Sequence, residues 1–396
     1  MAHVRSLFFE GVASESETRA QQAKRLGRPS SLIWNITNRC NLLCSHCYMA
    51  ADGHVKPDQL SDEQAYEMVD RMEEAGVPVV FLSGGEPMMR PNFWEILKRI
   101  NKAGVQPTIS TNCTFVTPKA AQRLAENGVR FIATSIYGPE YYHDALTQVP
   151  GTYQKVVKAI KNLRAAGVKV AVKTALTRET YEFIYDIVTL AKELDCSLLY
   201  ICDLITSGRS AGEENMRVSV DQWRRLCDFV VDDMLDPASS LEYDIGAIPS
   251  TIPYIAEKLV ARGVDVSKGL KRFQTFSACP VGQGHMTINS EGGVMPCQFA
   301  QDWTVGNIHD ISFDEATSRL YELDAADSSG QCAPEACDYS RICRGCRVKA
   351  WQATGNAFIE DTTCILDTNG ERTLPVTARE EAVAAGHVAP CAVSGC

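Results

Sequence analysis

SLIWNITNRCNLLCSHCY, residues 31–48, runs an apolar segment straight into three cysteines at 40, 44 and 47. SLIWNIT (31–37) reads as a buried strand. The cysteines, spaced C-x3-C-x2-C, therefore sit on the loop at its C-terminal end. From there to about residue 205, strands and helices alternate. SDEQAYEMVDRMEEAG (61–76) is a helix with a Ser61/Gln64 capping box. NFWEILKRINKAG (92–104) repeats the pattern, with Asn92 as N-cap. TPKAAQRLAENG starts on Thr117 as cap, with Pro118 at the first helical position. Further strands are expected in VPVVFLSGG, QPTISTN, RFIATSIYG, KVAVKTALT and SLLYICDLI. Four helices end in glycine followed by valine, at Gly76, Gly104, Gly128 and Gly167, so a left-handed cap leads at once into a strand. Such alternation implies parallel pairing with right-handed crossovers. Six strands are too few for an eight-stranded barrel, so an α/β fold with an open, partial (β/α)6 barrel is expected, a doubly wound sheet being the alternative.

That barrel is expected over 31–209, after an N-terminal extension (1–30). A helical bridge (210–270), a cysteine-rich domain (271–370) and a tail (371–396) follow. Periodicity is weak after Cys279 and cysteine is dense, so that domain is expected to fold around metal rather than an apolar core. The chain has 396 residues, 45% of them hydrophobic and 22% charged, as in ordinary globular proteins. The formal charge is −10 with no basic run, which argues against nucleic acid. No apolar run approaches the roughly 18 residues of a membrane span, and the N-terminus does not read as a secretory signal, so a cytoplasmic protein is expected. Of sixteen cysteines, three lie in 40–47 and nine between Cys279 and Cys396; clustering of this kind favours metal ligation over disulfides.

Three thiolates on a 4Fe–4S cluster leave one iron free for a ligand that the protein does not supply. SGGEP (83–87) follows the second strand and opens onto the same face; its two glycines let backbone approach a ligand, and Glu86 and Pro87 fix the turn. With the cysteine triplet, this motif resembles the radical S-adenosylmethionine (SAM) enzymes over about 31–209. The resemblance implies that the open iron binds SAM. The reduced cluster then cleaves SAM to a 5′-deoxyadenosyl radical, which abstracts hydrogen from substrate. It also implies that Gly84, Gly85 and Glu86 meet the SAM amino group and that His46 and Tyr48 lie near the adenine. Ser135 and Arg209 match positions that contact ribose or carboxylate. Asn112 stands where the family has TNG, with Cys113 in place of the glycine.

The later cysteines resemble the SPASM extension of that family. Cys279, twelve residues, Gly292, four residues and Cys297 match its opening; Cys332, Cys337, Cys343, Cys346 and Cys364 match the remainder. The interleaving usual in that family would give one auxiliary iron–sulfur cluster Cys279, Cys297 and Cys346, and the other Cys332, Cys337, Cys343 and Cys364. Seven cysteines then serve eight positions. The gap would be an open iron, a ligand such as His285 or Asp302, or a tail cysteine, Cys391 or Cys396. Cys113, Cys196, Cys202 and Cys227 read as buried small hydrophobes.

LIWNITNRCNLLCSHCY and GGVMPCQFAQDWTVGNI (292–308) further resemble the radical SAM enzymes of sirohaem-dependent haem synthesis, which remove acetate from porphyrin side chains or decarboxylate them. A tetrapyrrole substrate is the expectation, with peptide modification as the alternative; only some 30 residues precede the first strand, too few for a peptide-recognition domain. A low-potential donor, flavodoxin or ferredoxin, is the expected electron partner. Two non-catalytic readings, a zinc-binding scaffold and an electron carrier, would instead lack SAM cleavage.

Overall fold

The computed structural model describes residues 3–9, 22–23, 25–267, 269–270, 277–326, 339, 343–359, 361 and 363–366. One ten-stranded sheet organises them. β1 (Ser31–Thr37), β2 (Val79–Gly84), β3 (Gln106–Ser110), β4 (Phe131–Ser135), β5 (Lys169–Leu176) and β6 (Leu198–Asp203) are parallel neighbours in chain order. Their crossover helices include α2 (Asp62–Glu74), α3 (Phe93–Lys102), α4 (Pro118–Glu126), α5 (Glu140–Thr147) and α6 (Thr152–Ala165). The sheet is open, as expected of a partial barrel, and the C-terminal ends of these six parallel strands face one mouth.

Local chemistry explains the boundaries. Ser61 and Gln64 form the full capping box of α2, and Thr117 Oγ1 accepts from Ala120 N–H at the start of α4. Gly76, Gly104, Gly128 and Gly167 all have positive φ, as the helix-to-strand turns require. Asn92 does not cap α3: its side-chain oxygen is occupied by Arg90 Nε at 2.8 Å. Arg90 is itself buried and donates to the carbonyls of Ile36 and Leu60, tying the end of β1 to the start of α2.

Two findings change the expected organisation. The stretch expected as a helical bridge contains α9 (Val220–Leu235) and then β7 (Glu242–Gly246), a seventh parallel strand paired with β6. α7 (Arg178–Tyr181) and α8 (Ile184–Glu193) precede it, α10 (Thr251–Ala261) follows, and Arg5 and Ser6 of α1 (Val4–Phe8) donate backbone N–H to Glu242. The cysteine-rich segment, moreover, does not build a core of its own. β8 (His285–Ile288) pairs parallel to β1 on the sheet's other side, and β9 (Gly293–Met295) and β10 (Gly306–Asn307) extend it. Met286, Ile288, Val294, Ile308, Phe313 and Leu320 join the same apolar core as Leu32, Trp34 and Ile36. Burying them stabilises the segment by about 1.5–3 kcal/mol per large side chain, so an apolar core does support it, one borrowed from the barrel. α11 (Phe313–Ala326) and α12 (Arg347–Thr354) complete the described elements.

Candidate functional site

Cys40, Cys44 and Cys47 line one cavity at the mouth of the barrel. Their loop is fixed by backbone bonds: Cys40 N–H donates to Asp52, Leu43 N–H to Thr147 and Ser45 N–H to Leu146 at the end of α5. Burial pushes the Cys40 thiol up to about 11 and the Cys44 thiol up to about 12, and the neighbouring thiols push the same way. Such a set ionises readily only against a compensating positive centre, which the irons of a cluster provide. Cys40 Sγ also accepts from Leu42 N–H at 3.4 Å and faces the Asn112 amide at 3.9 Å. N–H donors aimed at a ligating sulfur are what an iron–sulfur centre requires of its surroundings. The residues fit the cluster.

Asn112 thus has a place in the site. Its amide also donates to Asn41 Oδ1 at 2.9 Å, which ties the end of β3 to the cysteine loop. Cys113, at the family's glycine position, keeps the left-handed backbone with φ 60°, a conformation a non-glycine residue rarely adopts.

The glycines of SGGEP answer to a different constraint from the one the sequence suggests. A Cβ on Gly84 would overlap the carbonyl oxygen of Thr37, and one on Gly85 that of Arg39. Gly85 N–H donates to Thr37 and Glu86 N–H to Arg39, both at 2.8 Å. The glycines therefore let β2 close against the chain's own β1 loop; both also line the cavity. Glu86 is fully buried rather than turned to the cavity. Its carboxylate accepts from Thr111 Oγ1, Asn112 N–H and Met88 N–H at 2.7–3.0 Å. Burial raises its pKa to about 7 against those donors, which favour the anion. Pro87 opens a short 3-10 turn, Pro87–Met89.

His46 stands edge-on to Tyr137 at 4.6 Å, and burial drops its pKa to about 4, so the ring is neutral. Its Nδ1 is buried and has no hydrogen-bond partner among the described residues. Tyr48 packs edge-on against Phe299 at 5.0 Å, a contact between the cysteine loop and the C-terminal segment. Ser135, at the end of β4, lines the cavity, as does Arg209. Arg209 Nε donates to Cys44 O at 2.8 Å, Nη1 to Ala51 O at 2.7 Å and its backbone N–H to Cys47 O at 3.0 Å. It clamps the cysteine loop.

Lys173, Tyr200 and Cys202 are among the further cavity residues that the sequence reading did not place there. Lys173 Nζ donates to Ser110 Oγ at 3.0 Å, and no carboxylate among the described residues pairs with it. A lysine amid the apolar positions of KVAVKTAL was the available signal.

Cys279, Cys297 and Cys346 form a second thiol group. Cys297 lies within electrostatic range of Cys279, and Cys279 of Cys346. Backbone N–H groups of Arg347 and Val281 point at the Cys279 sulfur, those of Phe299 and Gln298 at Cys297 and that of Lys349 at Cys346. Buried sulfurs ringed by amide donors suit cluster ligation here too. Cys343 is buried and Cys364 half-buried; Cys332 and Cys337 lie outside the described residues, as do Cys391 and Cys396. Among the described residues, no three His, Cys, Asp or Glu side chains close on one point as a single ion needs. None of the helices described is long and apolar enough to cross a membrane.

Residues 34–191 match the family described as the radical SAM superfamily, and residues 279–347 the SPASM iron-sulfur cluster-binding domain. The chain is 27% identical over 339 residues to an AdoMet-dependent heme synthase of Nitratidesulfovibrio vulgaris, covering 84% of this chain and 91% of that one. It is 27% identical over 344 residues to the mycofactocin maturase of Mycobacterium tuberculosis, covering 82% and 80%. Among solved structures, Streptococcus suis SuiB bound to its precursor peptide superposes with a TM-score of 0.68 at 18% identity, covering 87% of this chain and 78% of that one; this likeness is one of fold.

Proposed function

We propose that this chain, a radical SAM enzyme carrying a SPASM iron–sulfur domain, modifies the carboxylate-bearing side chains of a porphyrin. Such an enzyme takes a 4Fe–4S cluster, auxiliary clusters and SAM, and it needs a reductant and a substrate. When bound at Cys40, Cys44 and Cys47, the reduced cluster supplies the electron that breaks SAM into methionine and a 5′-deoxyadenosyl radical able to abstract hydrogen.

The chain's own residues do the rest. Asn112 and the Leu42 N–H support the Cys40 sulfur, and Arg209 holds the loop. Gly84, Gly85, Ser135, His46 and Tyr48 wall the SAM side, with Glu86 and Pro87 fixing the turn behind. Phe299 and Tyr48 pack together in the cavity wall, where they would help keep water from the reacting atoms. Lys173 carries the substrate assignment. Its amine lies in the cavity wall beside the Ser110 hydroxyl and the Tyr200 ring, with no carboxylate partner among the described residues; burial lowers its pKa, and a propionate or acetate group of the substrate would bind it and favour its charged form. The relative from N. vulgaris, named a heme synthase, supports this reading; the mycofactocin maturase keeps peptide modification as the second. A cytoplasmic flavodoxin or ferredoxin would be the electron donor.

The test is anaerobic incubation of reconstituted protein with SAM, a strong reductant and an iron porphyrin bearing propionates. The expected result is a shifted porphyrin absorption band, 5′-deoxyadenosine and a lighter porphyrin. With Lys173→Met the porphyrin should bind roughly tenfold or more weakly, since a charge-assisted hydrogen bond is worth about 1.5–3 kcal/mol. Porphyrin-independent 5′-deoxyadenosine formation should persist in that variant. An unshifted band would refute the tetrapyrrole assignment and leave the peptide reading.

A further inference from the structure

The auxiliary set Cys279, Cys297 and Cys346 is one ligand short of four. Of the two non-cysteine candidates suggested by sequence, His285 has one ring nitrogen, Nδ1, hydrogen-bonded to Ser31 Oγ at 2.8 Å, at the start of β1, and keeps Nε2. Asp302 is exposed. Cys202 is placed differently. It is the penultimate residue of β6 and lines the central cavity together with Gln298 and Phe299, the two residues that follow Cys297.

Three observations bring it to the auxiliary group. Cys279 and Cys202 both lie close enough to the Cys297 sulfur to push its thiol up. Asp203, the next residue, forms a buried ion pair with Lys349, three residues beyond Cys346. Ile205 packs in one small apolar cluster with Cys346, Val348, Cys297 and Phe299. Cys113, Cys196 and Cys227 instead belong to the main apolar core, which Cys202 does not join.

We propose that Cys202 is the fourth protein ligand of this auxiliary cluster, so that barrel strand β6 and the C-terminal domain grip one 4Fe–4S centre between them. The proposal rests on the SPASM reading above. Each of the four sulfurs binds as a thiolate, its proton passing to solvent. The consequence is functional: with four thiolates this cluster has no open iron. It passes electrons and does not bind substrate through its metal.

The experiment uses the full chain, reconstituted anaerobically and reduced, with S-adenosylhomocysteine filling the iron at Cys40, Cys44 and Cys47. 13C-labelled cyanide is added, and electron–nuclear double resonance reads any 13C coupling to iron. The wild type and the core control Cys227→Ala should show none. Cys202→Ala should show a clear coupling, and Cys202→Ser should keep its iron with shifted auxiliary g-values, which guards against a folding defect in the alanine variant. Coupling already present in the wild type, or auxiliary spectra unchanged in both variants, would overturn the assignment. Iron confined to the Cys40/Cys44/Cys47 site would overturn the auxiliary reading itself, a result distinct from a cluster that is present but open.

Discussion

Arg209 reaches the cysteine loop from 165 residues further along the chain and satisfies the carbonyls of Cys44 and Ala51 at once. Supports of this kind fix the geometry of ligands they do not replace. Arg209→Ala should therefore lower iron retention at the triplet, and with it 5′-deoxyadenosine formation, by about 10–100-fold. Arg209→Lys should recover only part of the loss, because one ammonium cannot reach both carbonyls in the guanidinium's planar fork. Measured iron per chain checks this. Titration offers a second test at this scale. His46, His143 and His285 are each held near pKa 4 by burial, below the ordinary 6.5. The unfolded chain thus binds protons between pH 6.5 and 4 that the folded chain refuses, so these groups lose stability as pH falls through that window. Glu86, raised from 4.5 to about 7, acts the other way over an overlapping range. Three comparable shifts outweigh one, so the melting temperature of the metal-free chain should drop as pH is lowered from 7 towards 5. A melting temperature that rose on acidification would contradict this balance.

The 206–210 segment shows what an element must give up to hold a site. Gly208 has φ 59°, and a Cβ there would overlap the carbonyl oxygens of Cys47 and Tyr48. Backbone cannot swing aside as a side chain can, so Gly208→Ala should displace the cysteine loop and cut iron content at the triplet several-fold. The folded chain should lose about 1 kcal/mol for the left-handed backbone alone; metal analysis and a denaturant melt read the two effects separately. Elements whose signals are local were legible in the sequence: β1 at 31–37, the capping box of α2, and the glycine turns that launch β2, β3, β4 and β5. The triplet and the SGGEP turn were legible because adjacent parallel strands end on one face. What stayed hidden depends on distant contacts. β7, EYDIG, is short and opens on an acidic residue, and only pairing with β6 makes it a strand. Asn92 looks like a cap and is taken by Arg90 instead. Lys173 and Cys202 line the cavity together with residues far from them in sequence, such as Cys47 and Phe299.

Across the whole molecule, the barrel and the cysteine-rich segment share one sheet and one core, and a buried polar knot joins them above it. Asp203 pairs with Arg217 at 2.8 Å and with Lys349, and accepts from Trp223 Nε1 at 3.1 Å; Asp203, Lys349 and Trp223 are buried and Arg217 is partly exposed. Breaking a buried pair from one side leaves an uncompensated charge and costs about 3–5 kcal/mol. Lys349→Met should cost somewhat less, because Arg217 still balances Asp203, but it should lower the melting temperature of the whole chain in a single transition. Two separate transitions would show that the C-terminal segment folds alone. The continuous sheet also brings the C-terminal segment to the triplet's cavity, whose wall includes Gln298 and Phe299, the two residues after Cys297.

The most direct test of the central claim, that Cys40, Cys44 and Cys47 leave one iron for SAM, is electron–nuclear double resonance of the reduced, reconstituted chain with SAM carrying 15N at its amino group. The account requires a 15N coupling to the cluster that disappears in Cys44→Ala. A reduced cluster bound by these three cysteines whose spectrum is the same with and without labelled SAM would contradict it.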